Sequence, residues 1–200
     1  MKLRLLAAVV TLSCASWAQA STPVQLSLPG VNLPASQQVT GARVSVLYGQ
    51  TGSVTGLDLP LFALSDTNNF TGVQLALGFG AARVRQSFKG VSVTAFNWHE
   101  GRDLGVNLGF VNLTNQAQGL NAGFVNVGNS MQGLNFGAVN IAQGNALANV
   151  GFVNSAERTT FQLGFFNATQ HLDGVQIGLG NYAANGIFPV LPLINISKSF

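Results

Sequence analysis

A repeat of about 14 residues dominates this sequence and restricts what the chain can fold into. The stretch GLNAGFVNVGNSMQGLNFGAVNIAQGN, which begins at Gly119, nearly repeats itself after 14 residues. Each unit has the order apolar, Asn or Gln, apolar, Gly, apolar, any residue, Asn, and then six or seven linking residues. Chance would not hold glycine and asparagine in phase over six copies, so the repeat indicates a structural unit. The glycines are Gly109, Gly123, Gly137, Gly151, Gly164 and Gly178, and the asparagines are Asn112, Asn126, Asn140, Asn154, Asn167 and Asn181.

Within each unit, apolar residues alternate with polar or small ones, and this two-residue period predicts a β-strand in every copy. Looser copies begin at Gly56, Gly72 and Gly90, so we expect the repeat region to cover residues 42–182. The repeated glycines fall inside the predicted strands, where a missing side chain lets neighbouring backbones approach closely. The predicted fold class is all-β.

Two all-β architectures have units of this length. In a β-solenoid each unit is one coil of a parallel stack, and in an up-and-down outer-membrane β-barrel each unit is one strand with one turn. The solenoid is favoured, because neighbouring barrel strands run in opposite directions and have a natural period of two units. The barrel stays open as the alternative, since one unit could supply the roughly ten residues that a membrane-crossing strand needs.

The first twenty residues are typical of an export signal. Lys2 and Arg4 precede a short apolar run at residues 5–12, and Ala18-Gln19-Ala20 is a small-residue cleavage pattern. The only cysteine, Cys14, lies within this segment, so the processed chain would contain no disulfide. Lipidation of Cys14 is left open. The predicted organisation is a signal peptide at residues 1–20, an extended lead-in at 21–41, a β-repeat domain at 42–182 and a C-terminal cap at 183–200.

The charge balance argues against nucleic acid as a partner. Without Lys2 and Arg4, seven of the nine basic residues remain against six acidic ones. Nucleic-acid binding needs a dense basic face that neutralises phosphates, and the processed chain would have none. Charged residues make up 8% of the sequence, far below the roughly 25% of ordinary soluble domains.

Candidate catalytic residues are few. The most reactive-looking stretch is Trp98-His99-Glu100, and the only other histidine, His171, lies about five units away. At about 4.8 Å per coil the two histidines would be about 24 Å apart, too far for a shared metal site. We therefore expect a polar linker at His99, no enzyme activity, no metal and no cofactor.

One basic cluster, Arg83 and Arg85 with Lys89, lies in the longest linker, between Gly78 and Gly90. A solvated loop is the expected structure. Contact with lipopolysaccharide or another anionic surface is the functional hypothesis.

Residues that recur at one position of the repeat form a column along the stack, and three such columns are candidates for structural or binding roles. The phenylalanines would form an aromatic core stack in a solenoid and would face lipid in a barrel. The asparagines that close each unit would form a structural turn ladder, because stacked amides can hydrogen-bond at the spacing of successive coils. The amide residues two positions before each glycine would form an uncharged outer face of a solenoid, which is either simply solvated or binds envelope glycan, peptidoglycan or another copy of the chain, and they would line the lumen of a barrel. The phenylalanine column is Phe110, Phe124, Phe152 and Phe165, the turn ladder is Asn112, Asn126, Asn140, Asn154, Asn167 and Asn181, and the candidate interaction face is Asn107, Asn121, Asn135, Asn149 and Gln176.

These repeats resemble those of uncharacterised bacterial secreted proteins with surface repeats of the form Gly, Leu or Val, Asn or Gln, any residue, Gly, Leu or Phe, Val or Phe, Asn. The stretch from Gly119 to Asn126 carries this pattern, and the segment from Asn185 to Asn195 resembles the NGxxPVxPLIN tail of that family. The resemblance implies an exported envelope protein of Gram-negative-type bacteria, and it implies no activity.

The predicted function is therefore a non-enzymatic, exported envelope or surface protein with a structural or interaction role. The alternative is a small outer-membrane β-barrel that is structural or forms a narrow pore. Envelope glycan, the outer membrane and self-association are the candidate partners. The expected location is the outer membrane, the cell surface or the periplasm.

Overall fold

The computed structural model describes residues 20–198, which form eleven β-strands and no helix. The strands lie in one sheet whose order follows the chain from β3 to β11, with β1 beside β3 and β2 at the outer edge, and every neighbouring pair from β3 to β10 is parallel. The predicted β-solenoid is thereby confirmed, and the antiparallel order of the alternative is not found between β3 and β10. The predicted signal peptide and Cys14 lie outside the described residues, apart from Ala20. The strands are β1 (Thr22–Leu28), β2 (Val31–Leu33), β3 (Gln38–Leu75), β4 (Ala81–Val93), β5 (Phe96–Leu108), β6 (Val111–Ala122), β7 (Val125–Phe136), β8 (Val139–Val150), β9 (Val153–Leu163), β10 (Phe166–Ala183) and β11 (Val190–Ile196).

The sequence repeat is also the structural register. Asn112 lies beside Asn126 and Asn126 beside Asn140, so residues 14 positions apart face each other on neighbouring coils. The backbone ladders between coils satisfy the strand N–H and C=O groups, and each coil adds about 4.8 Å to the stack. The looser copies stack in the same way inside the long β3, where Gly56 lies against the backbone of Gly41.

Short strands cover both ends of the stack. The predicted lead-in contains β1, which pairs in parallel with β3, and β2, which folds back antiparallel on β1. At the other end β11 pairs antiparallel with β10, with Ile194 opposite Ile177. Pro192 lies in β11, where a missing backbone N–H can be tolerated at an edge. The reversed strand occupies the last parallel edge, which would otherwise be free to pair with another chain.

The interior of the coils is largely polar, and much of the exterior is apolar. In β6 the buried residues are Asn112, Thr114, Ala117 and Asn121, whereas Leu113 is exposed. This reverses the usual distribution, in which amide side chains face water and large apolar ones are buried. Asparagine can be buried here because the amides hydrogen-bond to amides on neighbouring coils.

The predicted aromatic core stack is wrong, because the phenylalanine column lies outside. Phe110 is 61% exposed and Phe124 is 55% exposed. Each follows a repeat glycine at a bend between two strands, and the space beneath the bend is occupied by an asparagine amide. The repeat glycines from Gly109 to Gly164 therefore lie at these bends and not inside strands, whereas Gly178 lies within β10, as the sequence predicted. A Cβ on Gly109 would lie 2.7 Å from the carbonyl oxygen of Thr94, so the expected close approach of backbones is present.

Candidate functional site

A ladder of asparagine amides runs through the interior beneath the bends. Asn112 Nδ2 donates to Asn126 Oδ1 at 2.7 Å, and Asn126 Nδ2 donates to Asn140 Oδ1 at 2.8 Å. The second hydrogen of the Asn126 amide goes to the backbone carbonyl of Phe136 at 2.8 Å, which fixes the next bend. The turn ladder expected from the sequence is thus present as a chain of hydrogen bonds. Its members are Asn97, Asn112, Asn126, Asn140, Asn154, Asn167 and Asn181.

The second amide column is also interior, so the predicted outer interaction face is wrong. Its asparagines bond along the stack, with Asn107 Nδ2 donating to Asn121 Oδ1 at 2.8 Å. Alternation alone does not say which side of a strand faces inward, and amides that pair in a column can be buried at little cost. The buried members are Asn107, Asn121, Asn135, Asn149 and Gln176, each at most 3% exposed.

Towards the N-terminus this second column becomes charged. Arg43 Nε donates to Asp58 Oδ1 at 2.8 Å and Arg43 Nη2 to Asp58 Oδ2 at 2.9 Å, with both side chains fully buried. Ser65 Oγ and Gln74 Nε2 also donate to Asp58 Oδ2, at 2.5 and 2.7 Å. A buried ion pair needs such extra hydrogen bonds to offset its desolvation, so this cluster is a structural one.

His99 lies in strand β5 and not in a polar linker, so that prediction is wrong. Its side chain is 1% exposed and stacks on Phe88, with ring centroids 4.3 Å apart. His99 Nδ1 lies 2.7 Å from Asp103 Oδ2, to which Asn107 Nδ2 donates at 2.6 Å. The pair is closed to substrate, while His171 is exposed on β10. Among residues 20–198, no group of three His, Cys, Asp or Glu side chains could hold a metal ion.

The basic cluster lies on strand β4 and is largely neutralised, so the predicted solvated loop is wrong. Arg83 Nη2 donates to Glu100 at 2.6 Å, and its guanidinium lies 4.2 Å from the ring centre of Trp98. Arg85 donates twice to Asp66, at 2.9 and 2.6 Å, and these bonds raise the pKa of Arg85 above its ordinary value. Two internal ion pairs leave little free positive charge for an anionic surface.

The most unusual exterior feature is a line of apolar side chains along the bends, which we term the apolar ridge. The rings of Phe110 and Phe124 stack with centroids 5.3 Å apart, and those of Phe152 and Phe165 with centroids 4.9 Å apart. Ala138 separates the two stacks, and Leu179 continues the line. The ridge consists of Phe110, Phe124, Ala138, Phe152, Phe165 and Leu179.

Apolar surface continues from the ridge onto both flanks. The strand ends before each bend carry one column, and the strand starts after each bend carry another. A groove of about 960 Å³ lies beside the ridge on the first flank, and it is lined by Phe152, Leu163, Phe165 and Leu193 among other residues. The first flank is Leu108, Ala122, Phe136, Val150, Leu163 and Ile177, and the second is Phe96, Val111, Val125, Val139, Val153 and Phe166.

The opposite side of each coil is polar. About half a coil away in sequence from the ridge, the outward residues are mostly Gln, Asn and charged groups, and we term this the polar edge. An exposed ion pair between Arg158 and Asp173 lies there, with Nη1 2.9 Å from Oδ1. The solenoid is therefore amphipathic across its width. The polar edge includes Gln116, Gln118, Asn129, Gln132, Gln143, Asn145, Arg158, Gln170 and Asp173.

Sequence reasoning missed the apolar ridge because it assigned the phenylalanines to the core. The signal was present in the two-residue alternation of the repeat: if Asn107 and Asn112 face inward, the apolar residues beside them must face outward.

Within residues 20–198 the structure has no helix of sufficient length and apolarity to span a membrane. No protein-family model, no curated protein and no solved structure matches the chain.

Proposed function

We propose that the protein is a non-enzymatic, exported component of the bacterial envelope that acts by binding and not by catalysis. The observation that carries this proposal is the apolar ridge with its two apolar flanks. Exposed apolar surface of this extent is characteristic of interaction sites, because it is costly to leave in water. The export pattern of residues 1–20 and the resemblance to surface-repeat proteins point in the same direction and stay predictions.

The titratable groups support binding over catalysis. A general acid or base must reach its substrate within hydrogen-bond distance. His99 and Asp103 are each 1% exposed inside the coil. Among the more exposed groups, Arg158 is paired with Asp173 at the polar edge, and Arg83 on β4 is paired with Glu100.

Fractionation of the full chain in a Gram-negative host tests this proposal. We expect a processed product that begins at Ser21, found in the envelope fractions and identified by N-terminal sequencing. The matched control is Val9→Arg, which interrupts the apolar run of the signal and should leave an unprocessed chain in the cytoplasm. An unprocessed wild-type chain that stays cytoplasmic would overturn the proposal.

A further inference from the structure

We propose that the apolar ridge inserts into the interfacial region of a lipid bilayer, with the polar edge facing water. This inference rests on the proposed envelope function and names its partner as a lipid surface. It is carried by the shape of the apolar surface, the pairing of the ridge backbone, the separation of charge and the placement of two aromatic residues.

The shape favours lipid over a second copy of the chain. The ridge is exposed, and apolar columns continue on both of its sides. A second solenoid could cover one flank and would leave the other in water. Lipid chains can surround the ridge and cover both flanks together. Five steps separate Phe110 from Leu179, so the ridge is about 24 Å long at about 4.8 Å per coil.

The backbone of the ridge is already prepared for a medium without water. An unpaired N–H or C=O in a bilayer costs several kcal/mol, so inserted backbone must be bonded internally. Phe124 N donates to Phe110 O at 2.9 Å, and Val125 N donates to the same oxygen at 3.1 Å. Phe152 N donates to Ala138 O at 2.9 Å in the equivalent arrangement. The backbone N–H groups of Phe110, Phe124 and Phe152 can therefore lose water while keeping their hydrogen bonds.

Charge is confined to the side that would stay in water. Neither the ridge nor its two flanks contains an Asp, Glu, Lys, Arg or His. An amphipathic element with this division lies in the membrane plane with its apolar side about 5–10 Å into the headgroup boundary. Between residues 96 and 183, the exposed or half-exposed ionisable side chains of these types all lie towards the polar edge: Glu100, Arg102, Glu157, Arg158, His171 and Asp173.

Two aromatic residues mark the expected water boundary. Trp98 and Tyr182 occupy the same position of the repeat, one residue after Asn97 and Asn181, between the ridge and the polar edge. They are 44% and 39% exposed. Tryptophan and tyrosine concentrate at the level of lipid headgroups, because one end of the ring is apolar and the other is polar.

The first experiment is sedimentation of the processed protein with phosphatidylcholine vesicles. We expect co-sedimentation that persists in high salt and is little changed by anionic phosphatidylglycerol, because the ridge is uncharged. Phe124→Ser and Phe152→Ser should each lower the partition coefficient about tenfold, as expected for a ring that leaves water on insertion. Leu147→Ser is the matched control: Leu147 is 51% exposed at the polar edge, and its replacement should change binding less than twofold. Circular dichroism of each variant checks that it keeps the wild-type fold.

Fluorescence supplies an independent depth measurement. The sequence has two tryptophans, Trp17 and Trp98, and the first lies in the predicted signal, so the processed chain reports on Trp98 alone. We expect a blue shift on vesicle binding, and stronger quenching by lipids labelled near the headgroup than by lipids labelled deep in the chains.

Three results would overturn the lipid proposal. One is a wild-type protein that does not sediment with vesicles. Another is equal loss of binding in Phe124→Ser and Leu147→Ser. The third is a lipid-independent dimer, seen by analytical ultracentrifugation, that Phe124→Ser dissociates, since this would assign the ridge to self-association. If the protein is exported but does not bind vesicles, only the lipid proposal is refuted. If it stays in the cytoplasm but binds vesicles, only the envelope function is refuted.

Discussion

Replacement of one asparagine in the ladder tests whether the interior amides hold the stack together. Asn126 lies near the middle of the ladder and makes three hydrogen bonds. It accepts from Asn112 Nδ2 at 2.7 Å and donates to Asn140 Oδ1 and to the Phe136 carbonyl, both at 2.8 Å. Asn126→Leu removes all three while keeping a side chain of similar volume.

The expected loss of stability follows from the hydrogen bonds that each former partner of Asn126 retains. The Asn112 amide still donates to the Ala122 carbonyl at 3.2 Å, and the Phe136 carbonyl still accepts from Gly123 N at 2.9 Å. Asn140 Oδ1 is left without a donor among residues 20–198. A buried acceptor without a partner costs about 1–3 kcal/mol, and each weakened bond adds about 0.5–1 kcal/mol. We therefore expect a loss of about 2–5 kcal/mol in the free energy of unfolding.

Urea denaturation followed by circular dichroism measures this loss, with thermal melting as a second probe. For a chain of this size, about 3 kcal/mol corresponds to a melting temperature lower by about 6–12 °C. Asn129→Leu is the matched control, because Asn129 makes a single exposed bond, Nδ2 to Asn115 Oδ1 at 2.7 Å. The control should change stability by no more than about 0.5 kcal/mol. Equal destabilisation by Asn126→Leu and Asn129→Leu would refute the structural role of the buried amides.

Three further substitutions probe the bends and the buried ionic groups, each by urea denaturation. Gly137→Ala should lower the free energy of unfolding by more than about 3 kcal/mol, since its Cβ would lie 2.6 Å from a backbone oxygen. Gly180→Ala is the control, because its Cβ would meet only an aromatic ring at 3.1 Å, and it should cost less than about 1 kcal/mol. Equal costs would contradict the close packing at the bends. Arg43→Met should cost about 3–5 kcal/mol by leaving a buried carboxylate unpaired, and adding Asp58→Leu should recover most of it; no recovery in the double variant would argue against the ion pair as the cause. His99→Leu should cost about 1–3 kcal/mol because a buried carboxylate loses its ring partner, and an unchanged urea midpoint would remove that role.

The sequence was sufficient to predict the coil and its asparagine ladder, because both follow from spacing. Only a parallel stack gives Asn112 and Asn126 the same surroundings after one unit, and amides at one coil spacing can bond to each other. The sequence did not predict which side chains of each strand face the interior of the coil. A two-residue period separates the two sides of a strand without saying which is inside, and the usual rule would bury Phe124 and expose Asn121.

The charged residues show a second limit of the sequence pattern. Arg83, Arg85 and His99 lie where the repeat is irregular, so linkers were expected there. The structure continues the strands through these positions and absorbs the irregularity in a register shift between His99 and Arg102. The partner of His99, the buried Asp103, lies four residues away in the same strand, a pairing that depends on this local bend and on no spacing rule.

The hydrogen bonds of the asparagine ladder all run in one direction, and this direction determines how repeat units can be added to or removed from the solenoid. Every amide from Asn97 to Asn181 donates towards the C-terminus. At the start, Asn97 Oδ1 accepts from the hydroxyls of Ser92 and Thr94, and at the end Asn181 Nδ2 donates to the backbone carbonyl of Leu191. The two ends thus differ in chemistry from the middle, while the middle steps are interchangeable. Duplication or loss of a whole unit between them leaves every donor and acceptor matched, so solenoids of different lengths can share the same two terminal segments.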